Sequence, residues 1–191
     1  MTEAKITGAL PEKKRLQEKF SEMLALPKFQ KALEIAARET AKTGLETGFE
    51  VDVLPDSSFW IEGVRVGNTS SMENSRPLKE IDGPPDYHLP INEFFHFHFH
   101  PPSEGIVAPS PDDLLTFTDL KTQPEFSGVG QVDKTGKIDV LVMSKSRYPL
   151  TKYDIAFYEE EVDKIPSQKE VQTLLSTIGL SSFLLEVSPT S

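Results

Sequence analysis

The sequence contains no cysteine. Disulfide staples, thiolate nucleophiles and sulfur-ligated zinc are thereby excluded, and a metal site in this chain has to be built from histidine, carboxylate or backbone oxygen. Basic residues are in short supply as well: 20 Lys and Arg face 30 Asp and Glu, a formal charge of −10. Such a surface repels a phosphate backbone, so nucleic acid is not an expected partner. Long apolar runs are missing too: nothing approaches the ~20 residues that span a bilayer, and MTEAKITGALPEKKRLQEKF holds no stretch of the kind a secretory signal needs. A soluble, cytoplasmic protein with no membrane partner is the expectation. There is no internal repeat and no low-complexity tract.

What is present is 37% hydrophobic residues over 191 positions, enough for one core under a large polar surface, and a single domain over 1–191 is expected. From Pro11 to about Thr43, Leu16, Phe20, Met23 and Leu24, then Phe29, Leu33, Ala36 and Ala37, recur at helical spacing, with a break at Pro27. Near Gly48 the period changes to two. Phe49, Val51 and Val53, and more loosely Trp60, Glu62, Val64 and Val66, predict an antiparallel pair. The stretch from Asn68 to about Tyr87 predicts loop, with Gly83, Pro84 and Pro85 as its turn residues.

Downstream, Phe126–Gln131 and Ile138–Ser144 flank Asp133-Lys134-Thr135-Gly136, a hairpin signal. A strand is expected at Asp154–Tyr158. A helix is expected from the Ser167/Glu170 capping pattern to Gly179, and a final strand at Phe183–Val187. This order predicts an α/β fold of the α+β kind, a mixed and largely antiparallel sheet flanked by helices. Its parts are a helical segment over about 11–43, a motif region over 44–120, and C-terminal strands and helix over 121–191.

Chemistry concentrates in Phe94–His100, FFHFHFH. Phe95, Phe97 and Phe99 alternate with His96, His98 and His100, so an aromatic face backs a histidine face. Histidines at i and i+2 of a strand point the same way and can close on one cation, which makes His98 and His100 metal-site candidates. A half-exposed strand using histidine as its polar residue gives the same pattern. Beyond Pro101 and Pro102, Ser110-Pro111-Asp112-Asp113 predicts a helix start with Ser110 as N-cap. Asp113 there can cap the helix, or complete a site of two imidazoles and one carboxylate with an open fourth position for water. Glu46 lies where the helical region gives way to the first strand, next to Gly48. It is either a carboxylate held at a site or an exposed acidic residue.

Taken together, Leu45-Glu46-Thr47-Gly48, His98-x-His100-Pro101 and Ser110-x-x-Asp113, in that order, resemble the signature of the JAMM (JAB/MPN) metalloproteases. The resemblance implies a JAB/MPN, cytidine-deaminase-like architecture. It implies zinc held by His98, His100 and Asp113, proton transfer by Glu46, and oxyanion support from Ser110. The implied substrate is an amide bond after the C-terminal tail of ubiquitin, a ubiquitin-like modifier or a sulfur-carrier protein, with the tail binding as an added strand. Nine residues, Pro101–Pro109, separate His100 from Ser110 where the family usually has seven. His96 has no counterpart in the pattern and is read as a residue beside the ligands or on the surface.

Two other metal readings run out of histidine. A cupin would use His98, His100 and Glu104 but needs a histidine downstream, and a carbonic anhydrase needs a third imidazole, with His88 and His96 left to supply it. The remaining alternative is a noncatalytic JAB-like domain that binds a partner with its metal site altered or empty.

Overall fold

The computed structural model describes residues 11–69, 72, 75–83, 93–101, 106–119, 124, 126–133, 137–144 and 148–187, apart from the side chains of 11–13, 15, 16 and 93. The helical segment is split where Pro27 predicts, into α1 (Pro11–Leu24) and α2 (Pro27–Thr43) with proline at the first position of α2. Gly44, in the left-handed region at φ 68°, closes α2 and turns the chain into the first strand. The strands are β1 (Thr47–Val53), β2 (Phe59–Trp60), β3 (Gly63–Val66), β4 (Arg76–Glu80), β5 (Glu93–Phe99), β6 (Phe126–Val132), β7 (Ile138–Ser144) and β8 (Ser182–Val187). They form one sheet in the order β4-β3-β1-β5-β6-β7-β8, with β2 also paired to β1. Among these strands only β5 and β6 pair in parallel.

Three further helices complete the chain: α3 (Pro111–Leu114), continued by a 3₁₀ turn over Leu115–Phe117, α4 (Lys152–Val162) and α5 (Gln168–Thr177). The α+β class and the mixed, mostly antiparallel sheet flanked by helices are as expected. Among the described residues no helix is long and apolar enough to cross a membrane. The turn residues 134–136, the loop residues 84–87 and residues 102–105 of the stretch between His100 and Ser110 lie outside the described residues.

Two apolar clusters, one on each face, hold the layers together. On the first, Phe20, Phe29, Ala32, Leu33 and Ala36 of α1 and α2 pack on Phe49, Val51, Phe95, Phe97 and Phe99, all essentially buried. Phe97 is the hub, with ring centroids 5.3 Å from both Phe29 and Phe49 and 5.7 Å from Phe20. Each fully buried Phe contributes roughly 1.5–3 kcal/mol by transfer from water. Room for the rings of Phe97 and Phe99 comes from Gly128 and Gly130 of β6, where a Cβ would overlap them. On the second face, Val129, Leu141 and Met143 of the sheet pack under Leu114, Phe117, Tyr158, Val171 and Leu175.

Two expectations need correction. Asp154–Tyr158 belongs to α4 and is not a strand. Its apparent alternation is overridden by a capping box, in which Thr151 N–H donates to Asp154 Oδ2 (2.8 Å) and Asp154 N–H to Thr151 Oγ1 (3.3 Å). Within the helix Phe157 is 44% exposed, whereas Tyr158 is buried. The stretch read as loop after Asn68 contains β4. This strand lies at the sheet edge, is exposed on both sides of Leu78, and carries Pro77, which an edge strand tolerates, so it shows no period-two pattern.

Candidate metal centre

The site begins with the register of β1 on β5, which sets Thr47 opposite Phe99, Gly48 opposite His98 and Glu50 opposite His96. One step further, Glu46 comes beside His100. Within Leu45-Glu46-Thr47-Gly48 the last three residues are each held or used in a different way. Thr47 Oγ1 donates to Ala36 O (2.7 Å) and lies 2.6 Å from Thr40 Oγ1, tying the strand start to α2. That leaves Glu46 on the histidine face. Glu46 is fixed through its backbone, its N–H donating to Asn68 O (2.6 Å) and its carbonyl accepting from Gly67 N–H (2.9 Å). At Gly48 a Cβ would stand 2.6 Å from Phe97 O and 3.1 Å from His98 Cβ, so the absent side chain lets β1 approach β5 beside the first histidine. Gly48→Ala is therefore expected to destabilise the fold by about 1–3 kcal/mol, read as a lowered urea midpoint.

The two histidines converge with Asp113. His98 Nε2 and His100 Nε2 are 3.1 Å apart, His98 Nε2 lies 2.9 Å from Asp113 Oδ1, and His100 Nε2 lies 3.3 Å from Asp113 Oδ2. One ligand atom from each falls within 4.8 Å of the others. Ligand bonds of ~2.0–2.1 Å in a tetrahedron make donor–donor edges of ~3.3–3.4 Å, so these separations fit one small divalent cation at their centre. The donor set, two imidazoles and one carboxylate, could hold a divalent metal ion and leave a fourth position for water or substrate.

Asp113 is held by the helix start it belongs to. Ser110 N–H donates to Asp113 Oδ2 (2.6 Å) and Asp113 N–H to Ser110 Oγ (3.2 Å), a complete capping box with Pro111 at the first helical position. The cap and the ligand are thus one arrangement. Burial works against the Asp113 charge, but hydrogen bonds from His100 and His98 and the fields of both imidazoles hold its pKa well below the usual carboxylate range. For His100, burial pulls downward, while the hydrogen bond to Asp113 and the charges of Asp113 and Glu46 prevail and raise it. Glu46, buried at 7% exposure, has its pKa raised by burial, partly offset by His100 and His98. A carboxyl moved upward and coupled to both imidazoles has the electrostatics of a proton-transfer group.

His96, without a role in the sequence pattern, stacks its ring on His98 at 5.2 Å and 28°. Burial first, then His98, lowers its pKa to about 4, so it stays neutral at physiological pH. His98 Nδ1 is buried without a hydrogen-bond partner among the described residues. The His98 ring is held by its contact with Asp113 and by stacking on His96, with no Nδ1 acceptor among the described residues of the kind that usually steadies a ligating imidazole. Tyr158 was also missed: its hydroxyl donates to Pro109 O (2.7 Å) just before Ser110. The Thr151-x-x-Asp154 cap was the sequence signal that could have placed it on a buried helix face.

All five residues singled out from the sequence thus lie in one neighbourhood, three in direct contact, Ser110 bonded to one of them and Glu46 coupled through its charge. Comparison with protein families, curated proteins and solved structures finds no match for this chain.

Proposed function

We propose that this protein is a zinc-dependent peptidase or isopeptidase of the JAMM (JAB/MPN) type. Its substrate would be an amide bond after the C-terminal tail of ubiquitin, a ubiquitin-like modifier or a sulfur-carrier protein. The observation that carries the reading is the convergence of His98, His100 and Asp113 on one point beside the buried carboxyl of Glu46. Held by the three ligands, zinc would supply a Lewis acid that polarises the scissile carbonyl and acidifies a water. Glu46 takes the proton from the attacking water and returns it to the leaving amine. Ser110 Oγ accepts the cap bond from Asp113 N–H, which leaves its own O–H to donate to the developing oxyanion. Along the same face runs a cleft of about 320 Å³ lined by Gly48, Glu50, Arg65, Met72, Ser75 and His96, a place for an extended tail to lie.

The competing reading is a noncatalytic JAB-like domain, favoured by the nine residues between His100 and Ser110. One measurement separates them. Protein stripped with chelator and returned to zinc is expected to bind one equivalent and to release a fluorophore amide-linked to the C-terminal tail of a modifier from the classes named above. Protein that stays folded and binds no zinc would assign the domain to partner binding.

A further inference from the structure

Asp113 is the one ligand that β5 does not carry. The cap fixes its carboxylate relative to Ser110, but that bond is internal to 110–114 and orients nothing relative to the sheet. What sets the segment against the sheet is the packing of Leu114 and Phe117 in the second cluster on its far side and, on its near side, two helices much later in the chain. Gln168, the first residue of α5, accepts from Val107 N–H at Oε1 (3.0 Å) and donates from Nε2 to Val107 O (2.8 Å), occupying both backbone groups of one residue as a strand partner would. Two residues on, Pro109 O accepts from the buried Tyr158 hydroxyl of α4. Pro109 and Pro111, with φ fixed by their rings, and the Ser110 cap then carry the constraint to Asp113. Leu114 and Phe117 close the far end by packing with Tyr158 in the second cluster.

Resting on the zinc reading above, we propose that Tyr158 and Gln168 are positioning residues that set the metal affinity of the site, by clamping Val107–Pro109 and thereby placing the Asp113 carboxylate against His98 and His100. The donor role of Tyr158 is secure across the working pH range, because burial, reinforced by the charge of Asp113, raises its pKa. The metal centre is in this account a junction. Two ligands come from the sheet and the third from the helical layer, so a loss of registration between the layers opens the ligand triangle even though no ligand has changed.

The test is zinc affinity, measured by competition with a chromophoric chelator on the full chain, with the visible absorption of the cobalt-substituted protein as a report on ligand geometry. Tyr158→Phe and Gln168→Ala are each expected to weaken zinc binding by roughly 10–100-fold, the range for losing a partner that orients a ligand, and to diminish the tetrahedral cobalt bands. Val171→Ala, which removes apolar packing from the same cluster but none of the hydrogen bonds to Val107 and Pro109, serves as the stability control. It is expected to lower the melting temperature of the metal-free protein while leaving zinc affinity within about twofold of the wild type. Wild-type affinity in both Tyr158→Phe and Gln168→Ala would overturn the clamp and leave the zinc reading standing. A wild-type protein that binds no zinc would overturn both. Should Tyr158→Phe fail to fold, Gln168→Ala, at a part-buried helix start, decides alone.

Discussion

Replacing Glu46 with Gln is expected to leave zinc bound at one equivalent and to cut amide hydrolysis by at least about 100-fold, within the ~10²–10⁴ that a positioned acid–base group contributes. The substitution keeps the shape of the side chain and removes only its ability to take and return a proton. Zinc content should not change, since the ligand triangle is made by His98, His100 and Asp113. Stability should hold or rise slightly. A carboxyl whose pKa is raised by burial disfavours the folded state once it ionises, and the neutral amide removes that penalty. In the metal-free wild type the same shift removes stability as pH rises from the ordinary Glu value of ~4.3 through the raised pKa, a loss that Glu46→Gln abolishes. Turnover on the modifier-tail amide should be read beside metal content in one preparation. A metal-loaded Glu46→Gln protein with undiminished turnover would take the proton-transfer role away from Glu46.

Asp113→Asn is the second large effect: zinc affinity is expected to fall at least about 100-fold, beyond the ~10–100-fold range for losing an outer partner, because the only anionic ligand of the three is gone. Asn keeps an oxygen to accept from Ser110 N–H, so the cap and the helix start survive and the loss is one of coordination. The metal-free protein gives an independent reading with a definite sign. In the wild type the lowered pKa of Asp113 contributes stability that is present above the unfolded Asp value of ~3.9 and is lost as pH falls below it. The raised pKa of His100 contributes stability that is fully present below the unfolded His value of ~6.5 and is lost as pH rises through the raised value. Asp113→Asn should lower the metal-free stability between these limits and flatten the decline on either side of them. Retained stoichiometric zinc in Asp113→Asn would mean that the carboxylate is not a ligand.

The site was legible in the sequence because its parts obey short-range rules. Alternation in FFHFHFH puts three histidines on one face, and Ser110-Pro111-x-Asp113 writes its own helix start, so both elements that carry the candidate ligands, β5 and α3, follow from spacing alone. Thr47 and Gly48 were visible as a pattern, while their reasons, an anchor on α2 and a close backbone approach to β5, needed the structure. What could not be read are contacts between residues far apart in the chain. Tyr158 and Gln168 reach back 49 and 61 residues, and no local period announces such a bond. The two errors in the fold have the same origin. Edge strand β4 buries too little for a hydrophobic period to appear, and in α4 the alternation of Ile155 and Phe157 hid a cap that the neighbouring Thr151 and Asp154 spell out.

The single parallel pairing, β5 on β6, bears on how the chain acquires its shape during synthesis. The strands on one side of that seam, β1 to β5, precede those on the other, β6 to β8, in sequence, so the first half can leave the ribosome and begin to collapse before β6 exists, while the helical layer spans the seam, Phe20 of α1 reaching Phe183 of β8. The edges of Phe97 and Phe99 that turn to β6 then wait for the glycine notches of Gly128 and Gly130, a long-range closure of the kind that folds slowly. Asp113 lies in the crossover between the halves. On the zinc reading and the clamp proposed above, the His98–His100–Asp113 triangle would be complete only once the second half has docked, and metal capture would be a late event in maturation.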